Sequence, residues 1–478
     1  MKQLCIAFFV LASISSYAQQ QAAIIIDLQN AKSTEAAVSF PVNGSFWTTQ
    51  VVYQAGQEHK IIVPNSITKA GLVNIIINYK GYKLFVEPNQ DYSLVVDAAN
   101  KEQPFAITGT NAEGQNLLNR LKHPDYSDKG DSYAKKDTTI EGIESLIAKD
   151  ADNEKKLFAD LRNDKKINEA FYRFASKEID YYYAAAMSAV IYNNSSKPGF
   201  AEAWPRLFAA YSMSDIKSQE VPSFYDYIDQ YVNWYKGSYT SKLNGTFKVY
   251  DTRKSNEYLL VMYKRYADNL PEPAREYALA RFLKTFLTMK KYEPELVQLF
   301  EDFNKSYPAS SYTSFFREPI QEIVAFHEKA GKDFTAEQKV VNNYLSVASL
   351  DELGAMFKGK TVFVDIWATW CSPCKEEFKH NDGLKKFLKQ NNAEVLYLSI
   401  DDEYRDQQWK DMIKFYNLSG THIRVSDSLK KELIDVIWKN KQVSIPRYLI
   451  IKDGKLVETN AKRPSDKDEL YRQISAYL

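Results

Sequence analysis

The stretch "TVFVDIWATWCSPCKEEF", Thr361 to Phe378, joins an unbroken apolar run to two cysteines three positions apart and then to charge. A continuous run such as "TVFVDIWA" is the pattern of a strand buried on both faces. The residues after it read as a helix start, because Pro373 has no N–H to satisfy in a first turn and its φ is preset. Cys371 is then expected to stand exposed at the helix N-terminus, where free N–H groups and the positive dipole end favour a thiolate. Cys374 lies one turn inward. This order makes Cys371 the attacking thiol and Cys374 the resolving one, with Trp370 beside them limiting water access.

Three other uses of such a pair fit poorly. Zinc needs four ligands, and the only further donors of interest, His380 and His422, sit at no finger or ribbon spacing. A structural bridge between Cys371 and Cys374 would close a loop too small to restrain much chain entropy. A peroxidase would need a proline-threonine-cysteine pocket of a different spacing from "DIWATWC". A redox dithiol remains, and no metal or cofactor is expected.

Residues 348–478 resemble the thioredoxin fold, most closely its TlpA/ResA-like exported branch. The resemblance rests on "VDIWATWCSPCK", on "VSIPRYLIIKDGKL", and on the additional "SIDDEYRDQQWKDMIKFYNL" between them. It implies that Asp365 is the buried acid of thioredoxins and Glu377 the active-site glutamate of ResA-like proteins. Either acid could take the proton of the inner thiol, and burial would raise its pKa toward the working pH. Asp365 is also costly to bury within "VFVDIW" without a purpose, whereas Glu377 in "CKEEF" reads equally as surface charge. The resemblance further implies that Pro446 is cis and faces the two thiols, leaving the backbone of Ile445 open to a substrate strand. Lys379 departs from the family, which usually has a helix-kinking proline there, so a straighter helix is expected.

The rest of the chain divides by pattern. With 478 residues, about three domains are expected. From about 22 to 110, "LVNIIINYKGYKLFVEPNQDYSLVV" alternates and breaks at Lys80-Gly81 and Pro88-Asn89, which predicts a small antiparallel β-sandwich. From 111 to 347 the apolar spacing becomes helical, with Pro222, Pro271, Pro273 and Pro308 at helix starts or breaks and no fixed repeat. Tyr181, Tyr182 and Tyr183 there read as core packing rather than a groove. The layout predicted is thus a multidomain chain: a β-rich N-terminal sandwich, an α-helical middle, and a C-terminal α/β thioredoxin-like fold.

The first residues, "MKQLCIAFFVLASISSYAQQ", place Lys2 before a short apolar run and small residues at Ser16 and Ala18. They read as a secretory signal, residues 1–18, which carries Cys5 away. Export points to the periplasm of a Gram-negative bacterium, with no membrane span left in the mature chain. An exported protein braced by disulfides would carry several pairs, but two cysteines remain. The formal net charge of +1 offers no electrostatic case for nucleic acid. The partners implied are protein disulfides and, for a reductase, a membrane electron donor. The interior Ser372-Pro373 lacks the histidine of strongly oxidising relatives, so the reduced form is less favoured and reduction is the expected direction. Isomerase or oxidase activity is the alternative, as is a binding or scaffold protein whose N-terminal domains do the main work.

Overall fold

The computed structural model describes residues 22–30, 34–78, 80–97, 99–100, 105–121, 123–250, 256–439 and 441–478. The signal reading, with Cys5, falls outside the described residues. Two compact units divide the chain: 1–247 with 269–275, and 248–268 with 276–478. The helical stretch is therefore apportioned between both.

The first unit opens with ten strands: β1 Ala23–Gln29, β2 Glu35–Ser39, β3 Pro41–Asn43, β4 Phe46–Trp47, β5 Val51–Gln54, β6 Lys60–Pro64, β7 Gly71–Ile77, β8 Lys80–Val86, β9 Tyr92–Asp97 and β10 Phe105–Gly109. Eight of them form two four-stranded sheets, β10-β9-β1-β6 and β5-β2-β7-β8. Alternating residues bring Ile24, Ile26, Leu94 and Ile107 of one sheet into a single core with Val38, Val73, Ile75 and Leu84 of the other. This is the β-rich sandwich. It is not antiparallel throughout, because β1 pairs parallel with β9. No hairpin joins those two strands, and the run β2–β8 supplies the long crossover that a parallel pair requires.

Helices of this unit begin at side-chain caps, as at Thr139, whose Oγ1 accepts from Gly142 N, and Asn168, whose Oδ1 accepts from Phe171 N. Helix Glu169–Asn193 is buried over most of its circumference. Tyr181, Tyr182 and Tyr183 lie in that core, their hydroxyls donating to Ser212 O, Pro124 O and Glu154 Oε1.

The second unit carries helices Glu295–Ser306 and Arg317–Ala330 and then the α/β part. Its strands are β11 Gln338–Val340, β12 Thr361–Trp367, β13 Glu394–Ser399, β14 Gly420–Arg424, β15 Arg447–Lys452 and β16 Lys455–Glu458. The sheet order is β11-β14-β13-β12-β15-β16, with β12 parallel to β13 and antiparallel to β15. Every residue of β12 is buried, as its unbroken apolar run requires. β15 and β16 turn at Asp453-Gly454, both at positive φ (48° and 76°), the geometry of a two-residue hairpin whose second position suits glycine.

The straighter helix expected from Lys379 is not observed. Helix Ser372–Glu377 ends after 6 residues, short of two turns, a 3-10 turn spans Phe378–His380, and helix resumes over Asn381–Gln390. Two contacts flank the break. Phe378 packs on Trp367 and Tyr416 at centroid distances of 5.3 and 5.2 Å, and Lys379 pairs with Glu376 at the i,i+3 spacing that a 3-10 turn eclipses.

Candidate redox site

β12 delivers the chain to the site. After Trp367, the turn bends at once so that Cys371 caps helix Ser372–Glu377, its Sγ accepting from Cys374 N at 3.1 Å. Cys371 and Cys374 are joined as a disulfide. Cys371 is only 3% exposed, against the expectation of an open thiol. As the cap, its sulfur is turned in over the first turn toward Cys374 rather than out to solvent. Trp370, expected to limit water access, is instead 47% exposed at the surface.

Asp365 occupies the middle of β12, opposite Tyr397 on β13 and Tyr448 on β15. Its Oδ1 is buried without a hydrogen-bond partner among the described residues. Burial pushes its pKa well above the ordinary carboxylate range, and the nearby Glu377 charge adds to the rise. Glu377 is not surface charge. It is 8% exposed, and its oxygens accept from Ser465 N and Ser465 Oγ, each at 3.0 Å. It lies three residues after Cys374, so both share one helix face, and its charge reaches Asp365.

The Ile445–Pro446 peptide is cis. Arg447, the next residue, is the register partner of Ile366, so Pro446 stands at the end of the sheet from which β12 runs into Cys371. Ile445 and Pro446 are both half-buried. His422 serves the core: it is stacked on Tyr397, bonded through Nε2 to Leu418 O, and pushed down to about 4 by burial.

Sequence reasoning missed two groups. Lys375, directly after Cys374, is 1% exposed and donates to Lys290 O at 2.6 Å. Burial, aided by the Lys290 charge, pushes its pKa down to about 7. Its place in the charged run "CKEEF" gave no sign of burial, since the group that receives it is 85 positions away. Asp401, after β13, accepts from Thr369 N (2.8 Å), Thr369 Oγ1 (2.7 Å) and Ser399 Oγ (2.8 Å), and so pins the turn before Cys371. An acid directly after a buried strand was the one available signal for it.

The Redoxin family matches residues 329–474. "Thiol-disulfide oxidoreductase ResA" of Bacillus thuringiensis subsp. konkukian is 31% identical over 115 residues, which cover 24% of this chain and 61% of ResA. The chain thus spans less than two thirds of that relative. "Thioredoxin" of Rickettsia typhi is 30% identical over 110 residues, 22% of this chain and all of the thioredoxin. The solved thioredoxin domain of a thiol-disulfide oxidoreductase from Bacteroides vulgatus is similar at 25% identity, covering 26% of this chain and 82% of that one, with a TM-score of 0.21. Through this C-terminal part, the chain belongs to the thioredoxin superfamily and is similar to ResA.

Proposed function

We propose that this protein is an exported thiol-disulfide oxidoreductase that reduces disulfides in client proteins by exchange through Cys371 and Cys374. The observation that carries the reading is the bonded pair Cys371–Cys374 at the junction of a buried strand and a helix. Cys371 Sγ already accepts the Cys374 N–H, and the same donor would stabilise a Cys371 thiolate after reduction. Cys371 attacks a client sulfur and is joined to it, and Cys374 then attacks Cys371 to release the client. Asp365, or Glu377 on the Cys374 face of the helix, takes the Cys374 proton in that second step. Trp370, Ile445 and Pro446 are the contacts offered to a client strand. Export to the periplasm rests on the N-terminal sequence pattern, and among the described residues no helix is long and apolar enough to cross a membrane. Reduction rests on the Ser372-Pro373 interior, with a membrane dithiol donor supplying electrons.

The test is turnover of an insulin-type disulfide by the purified protein supplied with dithiol electrons. The expected result is reduction that is lost in Cys371→Ser. A correctly folded protein inert toward every disulfide offered would sink the reading.

A further inference from the structure

Lys375 is tied at both ends. Its backbone N–H makes the first bond of helix Ser372–Glu377, to Cys371 O at 3.3 Å, and its Nζ donates to Lys290 O at 2.6 Å. The next residue returns the contact, since Lys290 Nζ stands 3.0 Å from Glu376 Oε1. Both residues directly after Cys374 are therefore held by Lys290, one by its carbonyl and one by its ammonium. The segment that carries Lys290 is itself fixed. The successive carbonyls of Lys290, Lys291 and Tyr292 accept from Lys375, from Gln408 at 3.1 Å and from His327 at 2.8 Å. Those donors come from three helices: Ser372–Glu377, Asp406–Phe415 and Arg317–Ala330. Lys290 and Tyr292 lie at positive φ (48° and 61°), a backbone form that other residues than glycine keep only where neighbours fix it.

Stability does not account for Lys375. It is 1% exposed, its acceptor is a carbonyl rather than a carboxylate, and burial with the Lys290 charge pushes its pKa down to about 7. An ammonium buried in that way costs stability. Asp401, Glu293 and Glu322 favour its charge, Lys290 opposes it, and the Tyr292 ring centroid lies 5.7 Å from Nζ.

We propose that Lys375 is a positioning residue for the redox pair: anchored on Lys290 O, it fixes the first helical turn so that the Cys374 N–H stays aimed at Cys371 Sγ. The use of this anchor rests on the exchange reading above, but the property it sets belongs to the protein alone. When a dithiol donor reduces the pair, the Cys371–Cys374 bond breaks and the donor's two sulfurs join. Two electrons pass to the protein, Cys374 takes one of the donor's protons, the other goes to solvent, and Cys371 is left as a thiolate. The N–H that meets Cys371 Sγ at 3.1 Å in the disulfide then donates to a charged sulfur. In the disulfide the turn is held covalently. Once the bond is broken, the anchor holds it, so losing the anchor penalises the reduced form.

Lys375→Met, made in the full chain, keeps much of the apolar stem and removes the buried ammonium. Two readouts need no client: the equilibrium of the pair with reduced and oxidised glutathione, and the pH dependence of Cys371 alkylation in the reduced protein, read by mass. The equilibrium is expected to move about fivefold toward the disulfide, the size of one net hydrogen bond. The alkylation midpoint should move to higher pH. Because the amine donates whether or not it is protonated, the equilibrium shift should persist on both sides of about 7. Lys290→Met keeps the accepting carbonyl and removes only the Glu376 pair, so it should move the equilibrium the same way by about twofold. Values unchanged in Lys375→Met, or changed only below about 7, where the ammonium charge acts, overturn the proposal. If Lys375→Met does not fold, Lys290→Met decides, and an unmoved equilibrium there overturns it. A parent inert toward client disulfides that still shows the glutathione shift counts against the exchange reading and for the anchor.

Discussion

β12 and the turn after β13 each bury an aspartate, and the two could hardly be closer in exposure: Asp365 and Asp401 are both 2% exposed. Their surroundings differ. Asp401 accepts three hydrogen bonds, two of them from Thr369 in the turn that leads to Cys371. Asp365 has one oxygen with no donor among the described residues. Burial raises both carboxyls, but at Asp401 the Thr369 and Ser399 donors pull the other way, whereas at Asp365 the Glu377 charge pushes further up. For two equally buried acids we therefore propose opposite roles: Asp401, bonded three times, holds the turn, and Asp365, with one oxygen left open, changes its protonation.

The largest effect that would sharpen this contrast is on rate. Asp365→Asn should slow resolution of the mixed disulfide by roughly 10²- to 10⁴-fold and leave the first attack nearly unchanged. Stopped-flow traces with an unaltered second phase would remove Asp365 from the chemistry. Stability should move the other way. A carboxyl whose folded pKa lies above its unfolded one takes up a proton on folding, so stability falls as pH rises through the folded value. The asparagine variant should accordingly melt above the parent in alkaline buffer, with the gap closing in acid.

Asp401→Ala should do the reverse. It leaves Thr369 N, Thr369 Oγ1 and Ser399 Oγ without their acceptor, at a cost of about 3 kcal/mol in denaturant unfolding. A variant as stable as the parent, with only its exchange rate altered, would break the distinction between the two acids.

Much of this contrast was hidden in the sequence, for identifiable reasons. The strand carrying Asp365, the cysteine pair and the Asp453-Gly454 hairpin are local signals of pattern and turn chemistry, and they were legible. The burial of Glu377 was not, because Ser465, which bonds it, lies 88 positions on. Nor could Tyr448 be read as facing Asp365, since cross-strand register depends on how β12 and β15 are paired. The parallel β1–β9 pair was missed for the same reason: turn residues report on sequence neighbours only. Cys371 was expected in the open because a helix start usually faces solvent. As a cap it points inward instead.

Lys375 extends the comparison to a base. Its pKa is about 7 when folded against an ordinary 10.5, so between those values the unfolded chain binds a proton that the folded one does not. Stability should rise with pH across that window, and the penalty should be full below about 7. Lys375→Met should flatten that slope in urea midpoints measured across the window. A slope identical in both proteins would show that the buried ammonium is not penalised. The smallest effect is expected from Glu377→Gln, which keeps the Ser465 bonding geometry: a severalfold slower second step, read by the same stopped-flow assay. No change there would return Glu377 to a structural role.

The ordering of the two thiols is most directly tested by trapping. In Cys374→Ser, the Cys371 thiolate can still attack a client, but the only other cysteine among the described residues is no longer there to release it. In Cys371→Ser, the first step is gone and the remaining thiol is 1% exposed in the parent. Non-reducing gels of exported extracts should therefore show reductant-sensitive, slow-migrating adducts with Cys374→Ser and few with Cys371→Ser. Equal trapping by the two variants, or stronger trapping through Cys374, would contradict the assignment.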